Sequence, residues 1–369
     1  MRRLLAALMI LILGLPAAAA AGTVKIGLIL PMTGPAAAYG EMGLAGIKLA
    51  HAERPKVLGR SVKLILLDNK SDKVESSNAA NRLIKRDRVD VIIGALSSST
   101  TLAAAPVAEK AGVPMVSGWA TNPLVTKYKK YIFRTCFIDP FQGAVAANFA
   151  YKNLGVRTAV VLMDISRDYS VGLGAFFKRH FLKLGGKVLL TAKYTSGDQD
   201  FSAQLGTIKA KNPDVIYLPG YLPEEPLIIR QAREMGLKQP FLSGDAAQAD
   251  ETIKIGGPAV EGLYFTTHFD EGGATTPAGK HYTEIYRRKY HKAPDALGAL
   301  GYDAYNIVLD AIARAGSTKP QAVVKALEQT KDFPGVCGLT SIVKHDAVKP
   351  AVILKVQGGK YVYVATVAP

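Results

Sequence analysis

The sequence predicts an α/β protein of two lobes, each a largely parallel sheet covered by helices on both faces. Three observations carry that prediction. Short, almost continuously apolar runs rich in Val, Ile and Leu alternate with longer stretches of helical spacing, as parallel strands buried on both faces require. The alternation completes one set and then restarts. At 369 residues the chain exceeds one ordinary domain and suits two cores.

Residues 1–21, MRRLLAALMILILGLPAAAAA, stand apart from both sets. Arg2 and Arg3 give a positive start, Leu4–Leu15 an apolar run, and Pro16 breaks it before a string of alanines. This is the layout of a cleaved secretory signal, so export from the cytoplasm is expected; an N-terminal anchor is the competing reading. No cysteine near the cut suggests a lipid anchor, and the arginine pair is too little for the twin-arginine route. No later stretch reaches the roughly 18 uncharged apolar residues of a membrane span.

In the first set, Val24–Leu30, Val62–Asp68, Val89–Ile93 and Val113–Val116 read as strands, with helices over Tyr39–His51, Lys73–Arg86 and Thr100–Lys110. In the second, Ala159–Met163, Lys187–Ala192, Val215–Leu218 and Phe241–Ser243 read as strands. The helices there are Gln142–Leu154, Tyr169–Leu184, Phe201–Lys211 and Glu224–Met235. Helices follow at Thr283–Tyr290, Asp295–Ala315 and Pro320–Thr330. The chain closes on strands Ala351–Val356 and Tyr361–Val367 around the turn Gln357-Gly358-Gly359. With no low-complexity linker, ordered crossings should join the lobes.

Hydrophobic residues at 49% and only two cysteines exclude a disordered, collagen-like or disulfide-scaffold protein. The excess of 46 Lys and Arg over 30 Asp and Glu, a net +16, keeps nucleic acid, an anionic membrane and acidic ligands in view. The densest basic runs, Lys127-Tyr128-Lys129-Lys130-Tyr131 and Arg287-Arg288-Lys289, accompany no recognition motif and read as solvated surface. No nucleic-acid partner is expected.

Catalysis has little footing. There is no Gly-x-Ser-x-Gly elbow, no His-Glu-x-x-His, no Cys-x-x-Cys and no P-loop, and the six histidines are scattered. Catalytic residues, a metal and a cofactor are therefore not expected, and the protein reads as a binder rather than an enzyme.

The informative segments are loops that leave strand ends. Gly94-Ala95-Leu96-Ser97-Ser98-Ser99-Thr100 opens a helix whose free N–H groups favour an anion, although a plain helix cap would use the same serines. Ser117-Gly118-Trp119-Ala120-Thr121-Asn122-Pro123 leaves the same sheet edge, where ligands of open α/β sheets lie. Trp119, the single tryptophan, reads equally as core or pocket wall. In the second set Asp168-Tyr169-Ser170, Gly220-Tyr221 and Gly244-Asp245 hold the matching positions. Asp245 suits a ligand ammonium, and a helix cap is the alternative for both aspartates.

Five blocks carry a family resemblance: VKIGLILPMTGPAAAYGEMGLAGIKLA at 24–50, IIGALSSSTTLAAAPVAEKAGVPMVS at 92–117, FRTCFIDPFQG at 133–143, GDQDFSAQLGTIKAKNPDVIYLPGY at 197–221 and AVKPAVILKVQGGKYVYVA at 347–365. In this order they resemble the branched-chain amino acid (leucine/isoleucine/valine-type) substrate-binding proteins of ABC transporters. The resemblance implies a type I periplasmic binding protein: two Rossmann-like lobes, a three-crossing hinge, and an amino acid trapped between the lobes by closure. It implies a first lobe of 22–137 plus 269–337 and a second of 138–268 plus 338–369. The crossings would lie near Thr135–Pro140, Thr266–Asp270 and Gly335–Thr340.

On the same resemblance the ligand carboxylate falls to Ser97 with Ser98 adjacent, and to the loop Trp119, Ala120 and Thr121. Tyr169 and Tyr221 line the second lobe, Asp245 takes the ammonium, and Tyr39 sits at the mouth. The implied partner is an ABC-type permease, and a monomer is expected. Trp119 stands where leucine-binding members carry a small residue, which would shrink an aliphatic pocket or favour an aromatic carboxylate. A periplasmic sensor on the same scaffold stays open. Both cysteines fall at implied crossings of an exported protein, so a Cys136–Cys337 bridge is expected.

Overall fold

The computed structural model describes residues 22–369, so the expected signal at 1–21 lies outside the described residues. The first sheet is built from β1 (Val24–Leu30), β2 (Lys56–Val57), β3 (Arg60–Asp68), β4 (Val91–Gly94), β5 (Met115–Ser117) and β6 (Ile132–Arg134), in the order β2-β3-β1-β4-β5-β6. All pairs are parallel except the β2–β3 edge. Side chains alternate between its faces as strand geometry requires. Val24, Ile26 and Leu28 join one core, while Ile29 and Ile92 join the other.

The helices of this half are α1 (Ala37–Glu53), α2 (Lys73–Arg82) and α3 (Ser98–Ala111). The expected helix 73–86 ends early as an α-helix and continues as a wider π-turn over Leu83–Asp87, closed by left-handed Arg88.

The second sheet takes β7 (Thr158–Asp164), β8 (Lys187–Tyr194), β9 (Val215–Tyr217), β10 (Phe241–Ser243) and β11 (Tyr264–Thr267), all parallel. Its helices are α4 (Asp139–Asn148), α5 (Asp168–Lys183), α6 (Ser202–Lys211), α7 (Glu224–Glu234) and α8 (Asp250–Gly256). The chain then returns to the first half as α9 (Pro277–Tyr290), α10 (Ala296–Ala315) and α11 (Pro320–Glu328). The small strands β12 (Phe333–Gly335), β13 (Gly338–Val343) and β14 (Asp346–Val348) follow, and β15 (Ala351–Gln357) with β16 (Lys360–Val367) extend the second sheet antiparallel.

Two features set the geometry of the first half. Helices α1 and α10 touch backbone to backbone: a Cβ on Gly46 would sit 1.8 Å from the Gly298 carbonyl oxygen, and one on Gly301 2.3 Å from that of Gly43. Gly94 has φ +153°, and a Cβ there would lie 2.4 Å from the Ile29 carbonyl oxygen, so only glycine lets the chain turn off β4 toward α3.

Residues 338–348 stay against the first half. Ile342 N–H donates to the Thr330 carbonyl, Arg134 N–H to that of His345, and the His345 ring stacks on Phe133 at 4.1 Å. Fully buried Arg134 also holds Asp346 at 2.6 Å. The chain enters the second sheet only at Ala351.

The expected Cys136–Cys337 bridge is not formed, and both cysteines are free and buried. Their neighbours explain it. The Cys136 thiol donates to the Ala120 carbonyl at 3.4 Å, whereas Cys337 is tied through its N–H to Asp303 of α10 at 2.9 Å. Sequence placed both near crossings but carried no information on side-chain direction.

Candidate functional site

In each sheet the strand order reverses at an internal strand, β1 in the first and β7 in the second. Loops leaving the carboxyl ends on either side of such a reversal open a crevice. The loops after β1, β4 and β5 face those after β7, β9 and β10 across one cleft, which holds two adjoining chambers sharing Tyr39, Leu96, Ser97 and Tyr221.

The inner chamber is polar at its ends. On the first-lobe side Ser97 caps α3: its hydroxyl accepts the Thr100 N–H at 3.3 Å and lies 2.8 Å from the Thr100 hydroxyl. The cap reading is therefore realised, yet Ser97 also lines the chamber beside the positive end of the helix. On the opposite side Asp245 makes no capping bond. Its Oδ1 accepts from Gln142 at 2.8 Å and Tyr169 at 2.9 Å, and its Oδ2 lies 3.2 Å from His268 Nε2. Burial alone would raise its pKa, but the bond and charge interaction with His268, followed by the bonds from Gln142 and Tyr169, outweigh it and hold the carboxyl below its usual range.

The outer chamber is walled by Pro31, Pro35, Ala36 and Leu222, with Ser71 and Arg167 among its lining. Arg167 Nε donates to Ser196 at 2.8 Å. The lobes also touch directly. Tyr39 donates to the Ala246 carbonyl and accepts the Leu222 N–H, both at 3.0 Å. Ser99 donates to the Asp168 carboxylate at 2.7 Å and accepts its N–H at 3.0 Å, while Asn122 donates to the Asp168 carbonyl at 2.8 Å. Asp168 thus begins α5 and fastens it to the opposite lobe.

Of the residues expected at the site, Tyr39, Ser97, Trp119, Tyr169, Tyr221 and Asp245 come together around the inner chamber. Ser98, Ala120 and Thr121 do not line it. Ser98 is buried and its hydroxyl accepts the Asn122 N–H at 3.3 Å. Ala120 gives its carbonyl to Arg134 at 2.7 Å, and Thr121 gives its own to the Asp139 N–H at 3.0 Å. Trp119 is 5% exposed; its indole N–H donates to the Leu297 carbonyl at 2.9 Å and its ring edge fills the space a Cβ on Gly43 would need. It is a brace between α1 and α10 that shows one edge to the chamber.

Sequence reasoning missed Leu96, Arg167, Leu222, Gln142 and His268. Arg167 adjoins the Asp168-Tyr169 motif and could have been read with it. Nothing local marks His268, which reaches Asp245 only through the fold. Among the described residues no group of three or more His, Cys, Asp or Glu is placed to hold a metal, and no helix is long and apolar enough to cross a membrane.

Two parallel-sheet lobes facing across a cleft, with an anion-favouring helix end opposite a buried carboxylate, define a two-lobed solute-binding protein. The model of the periplasmic binding protein family matches residues 23–360, and the chain belongs to that family. It is similar to a leucine-binding protein, LivK, of Thermotoga maritima: 50% identical, covering 94% of this chain and 99% of that one, with a TM-score of 0.92. A branched-chain amino acid transporter substrate-binding protein, LivJ, of Streptococcus pneumoniae, solved with isoleucine, is 31% identical over 94% of this chain and 100% of that one, at 0.88. A solute-binding protein of an ABC transporter from Rhodopseudomonas palustris, solved with 3,4-dihydroxybenzoic acid, is 25% identical over 94% and 97%, at 0.85.

Proposed function

We propose that the protein is the solute-binding component of an ABC importer and traps an α-amino acid of the branched-chain kind between its lobes. The observation that carries this reading is the opposition of Asp245, charged, bonded by Gln142 and Tyr169 and contacted by His268, to the Ser97 end of α3. An ammonium and a carboxylate on one carbon fit that pair of ends, and the adjoining apolar walls suit an aliphatic side chain. The isoleucine-bound relative supports the same class of ligand. Closure would be driven by contacts that only the closed form offers, and a membrane permease would read it.

Residues 1–21 act in this reading as an export signal, and the monomer works in the periplasm without catalysing a reaction. The lobe division we propose keeps 338–348 with the first lobe and sets the third crossing at Lys349-Pro350, supported by the Arg134–Asp346 pair and by β15. An aromatic carboxylate loses the argument from Trp119, whose ring is committed to packing. Titration calorimetry with leucine, isoleucine, valine, 4-methyl-2-oxopentanoate and 3,4-dihydroxybenzoate tests the reading. The amino acids should bind at one site per chain, and the oxo acid at least tenfold more weakly. Preference for the oxo acid or the benzoate would overturn it.

A further inference from the structure

His268 follows the last residue of β11, on the second passage between the lobes, and is 1% exposed. Residues of the other two passages act on its ring, one by contact and one by charge. Phe137 of the first passage stacks against it with centroids 3.7 Å apart and planes at 23°. Lys349 of the third is close enough to oppose a positive charge on the imidazole. The ring's polar contact is Nε2 to Asp245 Oδ2 at 3.2 Å, and its Nδ1 is buried without a hydrogen-bond partner.

We propose that His268 is a positioning residue that holds the Asp245 carboxylate charged and aimed at the ligand's ammonium through one donated hydrogen bond. The inference rests on the reading of Asp245 as the ammonium site. Its logic is one of charge. An ionised carboxylate brings no proton to the contact, so Nε2 must carry it, and in the neutral ring Nδ1, which has no partner, is then bare. A neutral imidazole leaves Asp245 its full charge, whereas an imidazolium would neutralise it and repel the ligand. Burial first, with Lys349 adding to it, depresses His268 to about 4 despite the carboxylate, which keeps the ring neutral.

The remaining titratable groups around the pair are quiet between pH 5 and 7. Burial raises Asp139 and Glu225 to about 8, so both keep their protons there. It also raises Tyr169, Tyr217 and Tyr221, and pushes Cys136 to about 12. Arg134 is bound to Asp346. Removing the His268 donor leaves Gln142 and Tyr169 against the burial that pushes Asp245 upward, so its proton should return in the acid range.

The test is leucine binding to the full chain by calorimetry from pH 5.0 to 7.0, in buffers of different ionisation enthalpy. Wild type should bind with near-constant affinity and no net proton release at pH 5.5. His268→Phe keeps the stacking surface and loses the donor. It should bind at least tenfold more weakly at pH 5.5 than at pH 7.0 and release a proton on binding. His268→Gln, which can still donate, should restore most of the acid-range affinity. A loss in His268→Phe that is equal at every pH, without proton release, would mark a hinge-packing role and overturn the inference; so would no loss. If His268→Phe does not fold, nitrogen-15 NMR of the wild-type ring decides. A proton on Nε2 supports the inference, and one on Nδ1 overturns it. Asp245→Asn separates the two levels: intact leucine binding in that variant would sink the reading of the site itself.

Discussion

The two walls of the cleft are built by different means. The first-lobe wall is backbone and packing: the end of α3, the turn through Leu96, and Trp119 wedged against the glycines of α1. The second-lobe wall is a network of buried polar side chains centred on Asp245 and tied to the inter-lobe passages through His268 and Gln142. The difference separates shape from charge. The first wall should respond to changes of volume and hardly to pH, and the second should respond to protonation and hardly to volume.

Four changes test that division, from the largest effect down. Trp119→Ala should destabilise the protein by about 3–5 kcal/mol, because it empties a packed site between two helices. Denaturant unfolding measures it, and unchanged stability would return Trp119 to the role of a pocket wall. Asp245→Asn should weaken leucine by about 100-fold, in line with the ~3 kcal/mol lost when one partner of a buried charge pair is removed. Calorimetry with the oxo acid alongside should find that ligand nearly unaffected. Ser97→Ala, on the first wall, should weaken the amino acid and the oxo acid together by about tenfold, and cost about 1 kcal/mol of stability as a lost cap. A selective effect on the amino acid would break the division.

The smallest effect concerns Glu225, behind the second wall. Its folded carboxyl is raised by burial from 4.5 to about 8, so it keeps its proton where the unfolded chain has released it. Stability then falls as pH rises from about 4 toward 8, because over that window the folded state binds more protons than the unfolded state. Asp139, raised to about 8 in the same way, contributes a similar slope, so Glu225→Gln should remove about half of it and raise the melting temperature more at pH 7.5 than at pH 5. An equal shift at both would argue against the buried acid.

The parts legible in the sequence were those written in local pattern. β1, α5 and α7 lie within a residue or two of where apolar runs and helical spacing put them, because burial on both faces leaves few polar interruptions. Three- and four-residue strands such as β6 and β11, and the β12–β14 hairpins, are too short to show a period. The site divides likewise. Ser97, Tyr169, Tyr221 and Asp245 leave strand ends and could be placed by topology. Ser98, Ala120 and Thr121 sit in the same loops but turn inward, a matter of side-chain direction that no spacing encodes. His268 and the two unpaired cysteines belong to that second kind.

The backbone contact between α1 and α10 bears on how such a pocket diversifies. With Gly46 against Gly298, Gly301 against Gly43, and Trp119 filling what remains, neither helix can gain a methyl group without moving the other. Single substitutions there meet a steep barrier, whereas Ile165, Ser166, Arg167, Tyr221 and Pro223, in the loops of the opposite lobe, are exposed or half-buried and can be exchanged one at a time. Descendants of this chain that acquire new ligands should therefore carry their changes on the second lobe, with the first inherited as a fixed mould.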